Sequence, residues 1–117
     1  MGLFSRLRRR TTMDEPARAS DGTGSRRATV AHLTSFVREK VGVEAYVEPP
    51  VTDTPPSILL VATTGEWTRR AAPDERSAWK VAESLGVPVY NVQFTGYPQR
   101  YRDWNSRARG RRLTTDD

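Results

Sequence analysis

Between Ser57 and Ala72 the chain carries its firmest structural signal. The apolar run ILLVA, residues 58–62, follows two prolines and ends in Thr63, Thr64 and Gly65, after which Glu66 to Ala72 alternates apolar and polar residues. Five apolar residues between such breaks are too few for a helix and fit the most buried strand of a sheet. Thr64 and Gly65 supply a tight turn, and beyond it Trp67, Arg69 and Ala71 share one face. The two segments therefore form a β-hairpin at about 57–72.

The flanking residues supply what a hairpin needs for cover. Thr29 can cap a helix through Lys40, in which Val30, Leu33, Val37 and Val41 recur at steps of three and four with Phe36 beside them, and Gly42 stops it. Val43 to Glu48 alternates strictly, with Val43, Ala45 and Val47 on one side and Glu44, Tyr46 and Glu48 on the other, as a half-buried strand does. Pro49 and Pro50 end it, and a polar, proline-rich loop leads to the hairpin. After Pro73, Asp74 is placed to cap a second helix with Ala78, Val81, Ala82 and Leu85 inward, closed by Gly86. Val87 to Phe94 again reads as a strand. The expected fold is a small single α+β domain in the order α-β-β-β-α-β, with residues 28–95 as its body and an arginine- and aromatic-rich C-terminal helix and tail over 96–117.

Charge is distributed unevenly around that body. Residues 1–27 hold seven arginines against three acids, residues 28–95 are slightly acidic, and residues 96–117 hold six arginines against three acids, for a net charge of +5. Residues 1–27 have too few apolar side chains to bury and read as a disordered basic tail. Within them Leu3, Phe4 and Leu7 could share a face opposite Arg6 and Arg8 to Arg10, a minimal membrane-surface contact by residues 1–10. Residues 96–117 place Tyr97, Tyr101 and Trp104 at helical spacing among Arg100, Arg102, Arg107 and Arg109, with a loose end from Gly110 that carries Arg111 and Arg112. Seventeen of the 19 basic residues are arginine, the side chain that grips phosphate in a bidentate way and stacks on flat rings. GC-rich coding produces the same bias.

Several chemistries are excluded or unsupported. The chain has no cysteine, so disulfides, thiolate catalysis and cysteine-ligated metals are out, and the one histidine, His32, cannot form a histidine site alone. No apolar run approaches the roughly 20 residues of a membrane span. Position 6 is arginine where a myristoylation signal wants serine or threonine, and no secretory segment follows, so the expected compartment is the cytoplasm. His32, Glu44, Glu48, Asp53, Glu66 and Asp103 are the polar candidates for catalysis, but they form no motif. No glycine-rich strand-to-helix turn exists for a dinucleotide or nucleoside triphosphate, and no cofactor is implied.

Interleaved rings and guanidinium groups are the ingredients of nucleic-acid contact. The segment GYPQRYRDWNSRARGRR has both, and Arg100, Arg102, Arg107, Arg109, Arg111, Arg112, Tyr101 and Trp104 are its candidate binding residues. The plainer reading lays the rings on the domain and leaves the arginines in water. On the hairpin, Trp67, Arg69 and Arg70 form a secondary candidate surface, Arg70 facing away from the other two. The helix and strand order also matches a double-stranded-RNA-binding domain, but such domains place lysines at the start of the second helix, and here that helix opens with Asp74, Glu75 and Arg76. Acids there favour the helix dipole and oppose phosphate.

At GEWTRR and VPVYNVQFTGYPQRYRDWN, with a helix and the strand VEAYVEP before them, the sequence resembles a family of short uncharacterised actinobacterial proteins over roughly residues 30–105. Some members carry a generic oxidoreductase label, which no cofactor fingerprint or redox cysteine in this chain supports. The resemblance implies no functional residue. Three functions stay open: a binding module for a polyanion such as RNA or DNA, or an acidic protein surface; an interaction adaptor without a nucleic-acid role; and an enzyme.

Overall fold

A computed structural model describes residues 22–115, and the side chains of residues 26–110. The readings made for residues 1–21, including membrane-surface contact by residues 1–10, and for the side chains of Arg111 and Arg112 lie outside the described residues. In chain order the elements are α1 (Gly22–Glu39), β1 (Glu44–Glu48), β2 (Ser57–Val61), β3 (Trp67–Ala71), α2 (Glu75–Ser84), β4 (Val89–Asn91), α3 (Val92–Thr95) and α4 (Gln99–Thr115). The fold is α+β, as the sequence implies.

One four-stranded sheet in the order β3-β2-β1-β4 organises the molecule. β2 pairs antiparallel with both β1 and β3, and β4 returns parallel to β1 after the α2 crossover. Because side chains alternate along each strand, the sheet has two distinct faces. On the first, Ala45, Val47, Ile58 and Leu60 pack under Leu33 and Phe36 of α1 and Ala78, Val81 and Ala82 of α2. On the second, Tyr46, Leu59 and Val61 form a smaller apolar cluster with Trp67, Tyr90, Val92 and Tyr101. Tyr101 belongs to α4, so that helix is the third layer.

Asp74 caps α2 by accepting from the Ser77 amide at 2.8 Å, and Ala78, Val81 and Ala82 form its buried stripe. All four residues Ile58 to Val61 are fully buried.

The structure revises several boundaries. α1 begins at Gly22 rather than Thr29, taking in residues assigned to the tail: once the Val30 to Phe36 stripe is anchored, adding good helix formers such as Arg26, Arg27 and Ala28 costs little. The same helix ends at Glu39, so Val41 leaves its stripe and is 77% exposed. The hairpin turn holds three residues rather than two, with Ala62 N–H donating to Glu66 O (2.8 Å) and Gly65 N–H to Ala62 O (2.9 Å). The strand expected over Val87 to Phe94 stops at Asn91, whose side chain caps the short α3 by accepting from the Gln93 amide. Beyond Gly110 the backbone continues as helix to Thr115 instead of loosening. Finally, β1 is covered on both sides, not half-buried, because Tyr46 lies on Tyr90 within a cluster that Val92 and Tyr101 join.

Candidate functional site

The second sheet face gathers the chemically richest side chains. Alternation along β1 sends Glu44, Tyr46 and Glu48 to this face; β2 adds Ser57, Leu59 and Val61, and β3 adds Trp67 and Arg69. The rings interlock: Tyr46 lies on Tyr90 (5.4 Å between centroids), Tyr101 meets Trp67 edge-on (5.6 Å), and Tyr97 stacks on Tyr101 (5.1 Å). Two glutamate–arginine pairs bracket that cluster.

Glu48 anchors one end. Arg69 donates to both of its oxygens at 2.8 Å, Ser57 donates to Oε1, and the Tyr97 hydroxyl donates to Oε2 at 2.6 Å. Burial alone would raise this carboxyl, but the donors from Arg69, Ser57 and Tyr97 outweigh it and hold the group below the usual range. The Glu48 bonds hold Arg69 more firmly protonated despite its burial, and Arg69 also donates to the Tyr101 hydroxyl at 3.0 Å. At the other end Glu44 accepts from Arg100 and from the Tyr46 hydroxyl, each at 2.8 Å, and the Arg100 bond pulls its carboxyl down. Hydrogen bonds from Arg69 and Arg100 favour the charged form of both carboxylates and tie the three strands and α4 together as a clasp.

α4 divides its arginines between two tasks. Arg100 turns inward, donating through Nε to the Ala62 carbonyl (2.9 Å) and through Nη2 to Glu44 (2.8 Å) and the Val61 carbonyl (3.3 Å). It is therefore removed from the expected binding set, because a polyanion would have to displace its own carboxylate. Arg102, Arg107 and Arg109 are exposed, and no carboxylate among the described residues forms an ion pair with them. Arg107 lies over the Trp104 ring at 5.8 Å, and Arg109 donates to Ser106 at 3.4 Å. Tyr101 packs on the second sheet face, as the plainer reading of the rings expects, while the Trp104 Cβ stands beside the Gly65 turn with Arg107 over its ring and Tyr97 stays partly exposed.

The secondary surface splits in the same way. Trp67 and Arg69 are built into the clasp, with the Arg69 guanidinium 5.1 Å from the Trp67 ring, while Arg70 is exposed and donates to the Arg69 carbonyl. Trp67 Nε1–H donates to Asn105 Oδ1 at 2.9 Å, fastening the second turn of α4 to β3. Replacing Asn105 by alanine leaves that half-buried indole N–H without its acceptor. A loss of about 1 kcal/mol is expected, checked by urea unfolding.

The remaining polar candidates do not converge. His32 shares a 2.6 Å hydrogen bond with Thr68 and is held below its ordinary value by burial and then by Arg70. Glu66 pairs with Lys40 at 3.0 Å, Asp103 accepts from Gln99 at 2.8 Å, and Asp53 occupies a left-handed turn position. At the start of α2 the Asp74 carboxylate already takes an amide that a phosphate would use. Among the described residues no group of three or more His, Cys, Asp or Glu is placed to hold a metal ion, and no helix is long and apolar enough to cross a membrane.

No protein family, curated protein or solved structure matches the chain. Three stretches far apart in sequence meet in one place. VEAYVEP supplies Glu44, Tyr46 and Glu48, GEWTRR supplies Trp67 and Arg69, and GYPQRYRDWN supplies Tyr97, Arg100, Tyr101, Trp104 and Asn105. Glu48, Ser57, Tyr97 and Asn105 were not singled out together by sequence. The available signal was the pairing of Glu44 and Glu48 on one strand face with Arg69 two strands away.

Proposed function

We propose that this protein is a small cytoplasmic binding module that contacts a polyanion, RNA or DNA, through arginines of α4. One observation carries the reading: α4 is fastened to the sheet by Arg100, Tyr101 and Asn105, while Arg102, Arg107 and Arg109 on its outer surface have no carboxylate partner among the described residues. A helix held this firmly presents its cations at fixed spacing without losing much conformational freedom on binding. Guanidinium groups in water and off their own acids are the form in which arginine takes phosphate. Arg111 and Arg112 add positive charge beyond them.

The test is a salt titration of binding to labelled RNA and DNA. Binding should weaken steeply as salt rises, and the triple variant R102Q/R107Q/R109Q should lower the slope of log K against log salt by roughly two to three. Arg100 is left intact in that variant because its loss would loosen the helix. Binding unchanged in the triple variant would end the proposal.

A second reading, an interaction adaptor, is favoured by Phe94, which stands 86% exposed on α3 next to the partly exposed Tyr97. Under that reading, protein partners captured by the full chain survive the arginine substitutions and are lost with Phe94→Ser.

A further inference from the structure

The layout of α4 narrows the polyanion. Its exposed positions are Gln99, Arg102, Asp103, Ser106, Arg107, Arg109 and Gly110, and its sheet-facing ones are Arg100, Tyr101, Trp104, Asn105 and Ala108. At 3.6 residues per turn, Gln99, Asp103, Ser106 and Gly110 fall on one line along the middle of the exposed surface. Arg102 and Arg109 lie together on one flank of that line, about 10 Å apart along the axis, and Arg107 lies on the other. The exposed surface thus has a midline of short, polar, uncharged or acidic residues and a cationic rim on each side.

That pattern suits one form of nucleic acid better than the others. A single strand is held by bases stacking on exposed rings, but Tyr101 packs on Trp67, Tyr97 stacks on Tyr101, and the Trp104 ring carries Arg107. The A-form groove of duplex RNA is too narrow for a helix to reach its base edges. The major groove of B-form DNA is about 12 Å wide and admits a helix of about 10–12 Å diameter with phosphate rows on both sides. We infer that α4 is a DNA-reading helix that enters the major groove of duplex DNA, with Arg102 and Arg109 on one phosphate row and Arg107 on the other. The inference rests on the polyanion reading above. Gln99 and Asp103, joined by a 2.8 Å hydrogen bond in the first turns, then face the groove floor, where an amide suits adenine and a carboxylate accepts from cytosine.

The experiment uses the full chain and fluorescence anisotropy at about 0.1 M salt. The probes are a labelled DNA duplex of about 20 bp, an RNA duplex of the same sequence and the DNA single strand. The DNA duplex should bind at least about tenfold more tightly than either of the others. Methyl green, which occupies the major groove, should displace the protein, and netropsin, which occupies the minor groove, should not. R102Q/R107Q/R109Q should erase the preference while circular dichroism shows α4 still formed.

Equal binding to all three probes, still steep in salt and still dependent on the three arginines, would overturn the groove inference and leave the polyanion reading standing. Displacement by netropsin alone would do the same. Failure to bind any of the probes would remove both.

Discussion

A Gly65→Ala chain is expected to be about 3 kcal/mol less stable than the parent and to lose protection along the first turns of α4. Two costs add. Gly65 sits in the hairpin turn at φ +98, a backbone region that an alanine enters only with strain of about 1–3 kcal/mol. Its missing side chain is also what lets the turn dock: an added Cβ would be driven into the Arg100 carbonyl and would lie 3.1 Å from the Trp104 Cβ. Both neighbours belong to α4, one of them its backbone, so relief requires the helix to move away from the sheet. Gly86→Ala is the matched control, because Gly86 has φ +75 but nothing within 4 Å of its added Cβ. It should cost only the backbone part, about 1 kcal/mol. Urea unfolding measures the two differences, and hydrogen exchange over residues 99–110 shows whether the larger one is local to α4. Equal losses in the two variants would mean that the turn does not brace the helix.

The dependence of α4 on a turn far away in sequence explains why part of this fold was legible in the sequence and part was not. Local patterns named their elements well: the alternation of Glu44 to Glu48, the run Ile58 to Val61 and the Asp74 cap all appear as the residues imply. Boundaries failed where tertiary support overrode local preference. Arg26 and Arg27 joined a helix because the stripe after them was already anchored, and Val92 left its strand because Asn91 offered a cap. Residues 96–117 stand apart by charge, yet the spacing of their rings implies a helix laid on the domain, as α4 is. Tyr46, Leu59 and Val61 leave the second sheet face needing cover that α1 and α2, both on the first, do not give. Tyr101 gives part of it, with Tyr97 stacked on its ring. Charge at the surface of a segment thus says little about the side that packs. The same limit applies to Arg100: spacing grouped it with Arg102, Arg107 and Arg109, and only the strand register, which puts Glu44 at its approach, separates it from them.

Removing the negative charge at Glu48 should have an effect of similar size and reach. In Glu48→Gln the side chain keeps its shape, but Arg69 loses the anion that neutralises it, and of the Ser57 and Tyr97 hydroxyls, which donate to different oxygens, one keeps a neutral acceptor and the other meets an amide N–H. Breaking a buried pair from one side costs about 3–5 kcal/mol. Here Glu48 is only 13% exposed but Arg69 is 35% exposed, so water screens part of the loss and about 2 kcal/mol is expected.

The variant should also change the shape of stability against pH. Glu48 and Glu44 are both held below their unfolded values, so the stability they contribute is complete above about pH 4.5 and is lost as pH falls through their folded values. Tyr97 and Tyr46 behave in the opposite sense. Burial first, and then the neighbouring carboxylates, push both hydroxyls up to about 12, so their share is complete below about pH 10 and disappears as pH climbs toward 12. Parent stability should therefore be flat from roughly pH 7 to 10 and fall on either side, the acid side opening with His32, whose burial holds it below its unfolded value. With glutamine at position 48 the acid limb becomes shallower, because that carboxylate no longer titrates while Glu44 and Asp74 still do. The alkaline limb becomes shallower as well, since Tyr97 loses the anion beside it while Tyr46 keeps Glu44. Urea unfolding of both chains across this range provides the comparison. An acid limb of the same steepness in both would mean that the Glu48 charge is not what holds α4 to the sheet, and that the apolar contacts of Tyr101 suffice.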